Sequence, residues 1–146
     1  FVGNWKMFGD LDSFKIIKRI RQFYIKFRTS DKKNKIILCV PNTLIGFYKK
    51  KLNSKIILLG AQNCSQHKNY GAFTGSVSAL MLKKAGAEFI ILGHSENRME
   101  GETSQLIKTK IKSALSENLN VIFCIGETAS EKKGGKTLPV LYNQLN

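Results

Sequence analysis

Five short apolar runs, separated by segments with helical periodicity, constrain the fold more than any other feature of the sequence. The runs begin near Phe1, Ile36, Ile56, Phe89 and Val121. Successive residues within them are apolar, without the alternation of polar and apolar positions seen in half-exposed strands. This pattern is typical of strands that are buried on both faces. We therefore predict an α/β chain in which parallel strands alternate with helices.

The segments between the runs repeat apolar residues at the spacing of one helix face, as in Ile17, Ile20, Tyr24 and Phe27. Helices are expected around residues 17–27, 44–52, 77–85, 107–115 and 138–145. No linker or low-complexity segment divides them, so we expect residues 1–146 to form a single domain. Because the sequence begins inside an apolar run, we also expect a processed or incomplete N-terminus.

The formal net charge of +14 arises from 24 Lys and Arg against 10 Asp and Glu. Such a charge raises nucleic acid or an anionic membrane surface as a partner. However, lysines outnumber arginines 20 to 4 and are spread along the chain, whereas arginine is the side chain that reads base edges and phosphates. We interpret the charge as a compositional bias and expect no nucleic acid or membrane partner. The alternative is a basic binding module built on the Lys15–Arg28 helix, where cations lie beside Phe23 and Phe27.

Three cysteines, Cys39, Cys64 and Cys124, lie near the ends of apolar runs and have no CxxC spacing. We interpret them as reduced, buried thiols of a cytoplasmic protein. The cysteines and the histidines share no ligand spacing, so no metal site is predicted, and His67 is expected to be exposed in a polar loop. The apolar runs are far shorter than the roughly 20 residues that span a bilayer, and no charged-then-apolar segment opens the sequence, so we expect no membrane span and no targeting segment.

Polar residues follow four of the five predicted strands, at Gly3–Met7, Gly60–Cys64, Gly93–Glu96 and Cys124–Thr128. The carboxyl ends of parallel strands meet at one edge of the sheet, where helix N-termini and loops form ligand sites. No glycine-rich nucleotide-binding motif occurs. We therefore expect a small-molecule site at this edge.

Two residues of these segments have chemistry suited to catalysis. His94 precedes a predicted helix, whose dipole favours a neutral imidazole that can donate a hydrogen bond to a carbonyl group. Lys6 would supply positive charge for an anionic substrate or a developing oxyanion. Asn4 could hold either group in place or bind substrate. A capping histidine, a solvated lysine and a turn asparagine remain the alternatives for these residues taken singly.

Five segments resemble the triosephosphate isomerases in order and spacing. They are GNWKM at Gly3–Met7, AQNC at Ala61–Cys64, GAFTG at Gly71–Gly75, GA through GHSE at Gly86–Glu96, and CIGET at Cys124–Thr128. Each motif is weak alone, whereas the set is specific. The resemblance implies a (β/α)₈ TIM barrel of about 250 residues, of which this chain would carry the first five βα units, truncated at both ends.

The resemblance also implies isomerisation of dihydroxyacetone phosphate and glyceraldehyde 3-phosphate through an enediolate, without a cofactor. Asn4, Trp5 and Lys6 would bind the phosphorylated triose. His94 would act as the electrophile, with Lys6 as the second catalytic residue. The supporting residues would be Ser95 and Glu96.

A homodimer is expected by the same resemblance, because residues 62–75 are similar to the family's dimerisation loop. Thr74 at the tip of this loop would reach the active site of the partner. The family usually has Glu where this chain has Ser76 and Arg where it has Asn97. We expect the two family residues to support this region together.

The family's catalytic base is a Glu in a Pro-x-Trp segment after the sixth strand, and glycine-rich turns after later strands bind the phosphate. Trp5 is the only tryptophan among the 146 residues, so this segment is not present in them. We therefore predict that these residues alone have no isomerase activity.

Overall fold

A computed structural model describes residues 1–27, 34–52 and 56–146 of the chain. The described residues contain five strands, β1 Val2–Asn4, β2 Ile36–Cys39, β3 Ile57–Ala61, β4 Phe89–Leu92 and β5 Asn120–Phe123. They form one sheet in chain order, and every neighbouring pair is parallel. The predicted parallel α/β architecture is thus confirmed.

Helices follow every strand. They are α1 Phe14–Phe27, α2 Asn42–Lys51, α3 Ala79–Ala85, α4 Ser95–Met99, α5 Ser104–Ser116, α6 Ala129–Lys133 and α7 Thr137–Leu145. The region after β4 holds two helices because Thr103 starts a new one, accepting a hydrogen bond from the Leu106 N–H at 3.2 Å. Arg28, which the sequence placed at the end of the first helix, lies outside the described residues.

Successive strand residues point to opposite faces of the sheet, and the two faces differ in what covers them. On one face, strand residues such as Leu59 and Ile90 pack with helix residues such as Ile17 and Leu82 in the main hydrophobic core. A smaller cluster around Ile37, Cys39 and Ile91 lies on the other face. The edge strands β1 and β5 are only partly buried, so the core is centred on β2–β4.

Helix α1 packs on the core through Phe14 and Ile17 and exposes other apolar residues. Phe23 is 66% exposed and Phe27 is 59% exposed. The Lys51 ammonium of α2 lies 6.0 Å from the centre of the Phe14 ring, so α2 approaches α1 on the Phe14 side. The amphipathic pattern of α1 therefore comes from its packing on the core, while Phe23 and Phe27 form an additional surface stripe. No helix of the described ranges has the length and apolarity needed to cross a bilayer.

Candidate active site

Lys6, His94 and Glu96 meet at the carboxyl edge of the sheet. The Lys6 Nζ lies 2.7 Å from Oε1 of Glu96 and 3.3 Å from Nε2 of His94. All three side chains line a cavity of about 290 Å³, together with Asn4 and Gln62. The segments that follow β1, β3 and β4 thus lie together at this cavity, whereas the fourth polar segment, Cys124–Thr128, does not line it.

The ring orientation of His94 is fixed by the helix that it precedes. His94 is the N-cap of α4, and its Nδ1 accepts a hydrogen bond from the Glu96 backbone N–H at 3.2 Å. Since that N–H can only donate, Nδ1 is the unprotonated nitrogen and the ring proton lies on Nε2. Oε2 of Glu96 lies farther from Nδ1, at 3.5 Å, and gains no hydrogen bond from it. The site therefore presents a neutral N–H donor next to a lysine, and one oxygen acceptor in the cavity could bond both.

Lys6 projects from a turn with unusual backbone geometry. Its φ is +55°, in the left-handed region that side chains other than glycine rarely adopt. Such a conformation costs about 1–3 kcal/mol and persists where the surroundings hold it. Oδ1 of Asn4 accepts a hydrogen bond from the Lys6 N–H at 2.9 Å. The side chain of Asn4 thus stabilises the turn that carries the lysine.

Glu96 balances the charge of Lys6. The hydrogen bond from the Lys6 ammonium is the main reason why the pKa of Glu96 is lowered. Glu96 lies in the first turn of α4, which also suits a negative charge. Since its side chain is 61% exposed, the ion pair is accessible to an incoming anion.

Three predicted site residues lie outside this cluster. The Trp5 ring packs edge-on against Tyr48, with centroids 5.9 Å apart, and joins the main core. Ser95 is an exposed residue at the start of α4. Thr74 is exposed in the loop that follows β3. Trp5 thus packs in the core and does not line the cavity, because its side chain points to the opposite face of the sheet.

The loop after β3 is more ordered by internal contacts than its polar sequence suggests. The His67 ring stacks on Phe73, with centroids 3.4 Å apart and planes 7° apart. His67 is therefore half-buried, and the prediction of an exposed histidine was wrong. An aromatic residue six positions away is a weak sequence signal for such a stack.

Two polar features were missed by the sequence analysis. Gln62 follows β3 directly and reaches the turn of Lys6, at 2.8 Å from its carbonyl oxygen. Lys110 pairs with Glu102 below the cavity, and its Nζ lies 3.1 Å from Oδ1 of Asn63. The position of Gln62 directly after a strand could have identified it as a site residue. No comparable signal marked Lys110, because a lysine in the middle of a helix usually reaches solvent.

Within the described ranges, no three His, Cys, Asp or Glu side chains are placed to hold a metal ion. Two of the three thiols, Cys39 and Cys64, are buried, while Cys124 is half-buried at the open end of β5. All three are free. Desolvation raises the pKa of Cys39 to about 12 and that of Cys64 to about 11.

Comparison with known proteins covers the whole chain. The family model described as triosephosphate isomerase matches residues 1–146. The triosephosphate isomerase of Alkaliphilus metalliredigens is 41% identical over 145 residues, which are 98% of this chain and 56% of that protein. The protein of the same name from Yarrowia lipolytica is 42% identical over 146 residues, covering 99% of this chain and 57% of the relative.

The backbone gives the same result. The crystal structure of triosephosphate isomerase from Bartonella henselae has a TM-score of 0.90 and 38% identity over 99% of this chain and 59% of that one. The chain thus spans little more than half the length of the relatives that it matches, and its five parallel strands correspond to part of their TIM barrel. With sequence, strand order and backbone all in agreement, the chain belongs to the triosephosphate isomerase family.

Proposed function

We propose that the chain is the N-terminal part of a triosephosphate isomerase that interconverts dihydroxyacetone phosphate and glyceraldehyde 3-phosphate. The observation that carries the proposal is the placement of His94 and Lys6 in one cavity, where the Lys6 Nζ lies 3.3 Å from Nε2 of His94. The substrate is a small phosphorylated triose, no cofactor takes part, and the family places the reaction in glycolysis and gluconeogenesis.

His94 polarises the carbonyl group of the substrate. Its Nε2–H donates to the carbonyl oxygen, and this hydrogen bond strengthens as the adjacent carbon loses a proton and negative charge develops on the oxygen. One such donor typically lowers the barrier by about 3 kcal/mol. A neutral imidazole suits this role because it stabilises the enediolate through a hydrogen bond and does not itself add a full positive charge to the site.

Lys6 stabilises the same charge electrostatically and attracts the anionic substrate. In the free site its ammonium is paired with Glu96 at 2.7 Å. Because this pair is exposed to solvent, it contributes little to stability. A substrate that carries a phosphate dianion can therefore compete for the lysine. Asn4 would contact the substrate through its side-chain amide group, since its Oδ1 is already bonded to the turn.

The general base comes from a segment outside these 146 residues. Glu96 is the carboxylate that lines the described cavity, and it is bonded to Lys6. Glu96 lies beside His94, where the carbonyl oxygen of the substrate would bind. It is therefore not placed to remove a proton from the neighbouring carbon atom. A general base contributes about 10²–10⁴-fold to such a reaction. The 146-residue chain alone is therefore inactive.

The full protein is a cytoplasmic homodimer in this proposal. Support for the dimer comes from the exposed Thr74 at the tip of the loop, which is free to reach a second copy. Support for the cytoplasm comes from the free thiols, two of which are buried. Sedimentation of the complete protein tests the dimer, and Thr74→Arg should shift it toward the monomer.

The test of the activity compares two proteins. One is the 146-residue chain, and the other is the same chain completed with the C-terminal part of the Bartonella henselae relative. We expect turnover by the completed chain only, and a fall in its kcat of about 10²–10³-fold for His94→Gln, because the donor is lost. The proposal fails if the completed, folded chain is inactive or if the 146 residues alone turn over at a similar rate.

The basic binding module remains a second candidate because α1 exposes Phe23 and Phe27 beside its cations. Lys26 lies over the Phe27 ring at 5.2 Å, so the charge and the apolar surface share one helix side. Titration with duplex DNA and with anionic vesicles separates this candidate from the enzyme. Binding that is strong near physiological salt and falls steeply as salt rises would favour the module.

A further inference from the structure

The side-chain amide of Gln62 connects the ends of three strand segments. Its Nε2 lies 2.8 Å from the carbonyl oxygen of Lys6, 3.1 Å from that of Cys39 and 3.2 Å from Oδ1 of Asn4. Gln62 follows β3, whereas Asn4 and Cys39 end β1 and β2. One side chain thus contacts the backbone turn of Lys6 from across the sheet.

The orientation of this amide is determined by its partners. The Lys6 and Cys39 atoms are carbonyl oxygens, and Oδ1 of Asn4 already accepts from the Lys6 N–H at 2.9 Å. All three are acceptors, so the NH₂ group and not the carbonyl oxygen of Gln62 faces them. With two hydrogens for three acceptors, at least one of the contacts is shared.

Of these contacts, the one to Lys6 matters most for the turn. The Cys39 carbonyl already accepts from the Trp5 N–H at 2.9 Å, so the pairing of β1 and β2 does not depend on Gln62. Among residues 1–27, 34–52 and 56–146, no second donor reaches the Lys6 carbonyl. Gln62 therefore provides the hydrogen bond that fixes the carbonyl side of a turn whose φ is +55°.

We propose that Gln62 is a positioning residue for Lys6, holding the strained turn so that the Lys6 ammonium stays beside His94. The inference rests on the proposed function. Without the amide, the Lys6 backbone can relax toward ordinary values of φ. The Cα–Cβ bond then points elsewhere, and the ammonium leaves its place 3.3 Å from Nε2 of His94.

The first measurement uses Gln62→Met in the completed chain. Methionine keeps the length of the side chain but cannot donate, and we expect kcat/KM to fall about 10–100-fold, as for other residues that orient a catalytic group. Gln105→Met is the matched control, because Gln105 is an exposed glutamine of α5, and it should leave kcat/KM unchanged. Should Gln62→Met fail to fold, Gln62→Asn takes its place. Its amide is one methylene too short to reach the Lys6 carbonyl oxygen, so we expect kcat/KM to fall in this variant as well.

A double-mutant cycle separates positioning from a general structural effect. If Gln62 acts through Lys6, Gln62→Met has little further effect in the Lys6→Ala background, within about threefold, because the group that it positions is already gone. Equal losses in both backgrounds would overturn the inference, and so would an unchanged kcat/KM in the single variant.

A second readout does not require turnover. The Lys6 ammonium bonds the Glu96 carboxylate, so displacement of the turn should move the NMR titration midpoint of Glu96 upward in Gln62→Met and not in Gln105→Met. A completed chain that folds but is inactive would refute the proposed function, while this titration would still decide the role of Gln62. An unchanged midpoint for Glu96 would overturn it.

Discussion

The Lys6 ammonium donates a hydrogen bond to Oε1 of Glu96 at 2.7 Å, although Lys6 lies in the turn after β1 and Glu96 lies in α4, the helix after β4. Two strands lie between β1 and β4 in the sheet. In a flat sheet, strands three places apart are separated by about 14 Å. The long side chains of Lys6 and Glu96 and the curl of the sheet close this gap, so the ion pair depends on the curvature of the fold.

The first prediction concerns the titration of Glu96. The hydrogen bond from Lys6 lowers the pKa of Glu96 below its ordinary value of 4.5. A lowered pKa in the folded state means that the ion pair stabilises the protein above the ordinary value, and that this contribution is lost as the pH falls through the lowered one. Lys6→Met should raise the midpoint of Glu96 in a carboxyl NMR titration. Lys15→Met, on α1, should leave it in place, and equal midpoints in all three proteins would contradict the assignment.

The fold was largely predictable because two patterns are strong in this sequence, the consecutive apolar residues of buried strands and the helical spacing of apolar residues between them. Buried parallel strands need consecutive apolar residues, and this requirement marked β2 and β4 clearly. The parallel order then implied that the strand ends meet, which placed Lys6 and His94 together before any distance was known. The proximity of these two side chains could thus be predicted from topology, whereas the roles proposed for them rest on the resemblance to the family.

The parts that could not be predicted depend on the directions of side chains. Trp5 neighbours Lys6 in sequence, but its ring lies in the core, because adjacent residues at a strand end point to opposite sides. Lys110 looks like a solvated helix residue, yet its side chain is only 10% exposed and reaches Glu102. No local pattern distinguishes such a lysine, since its partner lies eight positions earlier, in the segment directly before α5.

The second prediction tests the contact between β2 and β3. A Cβ added at Gly60 would lie 2.5 Å from Sγ of Cys39 and 3.3 Å from Cβ of Phe89. Gly60→Ala should therefore destabilise the protein by about 1–3 kcal/mol, as overpacking of a core does. Cys39→Ala removes the sulfur, so the second substitution should cost less in that background.

Chemical denaturation measures both effects. Gly126→Ala is the control, because an added Cβ at Gly126 meets no atom within 4 Å. An equal cost of Gly60→Ala with and without the Cys39 sulfur would show that the sulfur is not the obstacle.

The third prediction concerns the thiols. Cys124 is half-buried, whereas Cys39 and Cys64 are buried. Since burial raises the pKa of Cys39 to about 12, only about one molecule in 10⁴ carries its thiolate at pH 8. A thiol reagent should label Cys124 first, and Cys124→Ser should abolish the fast phase. Rapid labelling of Cys39 in the folded protein would contradict this order.

The same thiols make stability depend on alkaline pH. The folded-state pKa of Cys39 is raised above the ordinary value of 9.0, so the buried neutral thiol stabilises the protein below pH 9. That contribution declines as the pH rises from 9 toward 12, because the unfolded chain ionises first. Cys39→Ala should reduce the loss of stability between pH 8 and pH 10, measured by urea unfolding.

The fourth prediction uses the buried pair of Lys110 and Glu102. Their side chains are 10% and 5% exposed, respectively. Lys110→Met leaves a buried carboxylate without its cation and should cost about 3–5 kcal/mol of stability. Adding Glu102→Gln removes the uncompensated charge and should recover part of the loss. If the double variant is as unstable as the sum of the two single ones, the pair is not coupled.

The fifth prediction concerns the two departures from the family, Ser76 and Asn97. Asn97 accepts a hydrogen bond from the Glu102 N–H at 3.0 Å through its carbonyl oxygen. Oε2 of Glu102 is buried and has no hydrogen-bond partner among the described residues. The family residues at these two positions are an arginine at 97 and a glutamate at 76, and we expect their opposite charges to support this region together. Ser76→Glu and Asn97→Arg should therefore stabilise the protein together more than the sum of their separate effects, by about 0.5–3 kcal/mol.

Urea unfolding of the completed chain with each substitution and with both measures this coupling. Asn97→Lys serves as the control, because lysine adds the same charge without the planar group that can bond two carboxylates at once. Simple additivity would show that the two positions act separately. A coupling in the double variant that lysine does not reproduce would show that an arginine at position 97 and a glutamate at position 76 act as one interacting pair.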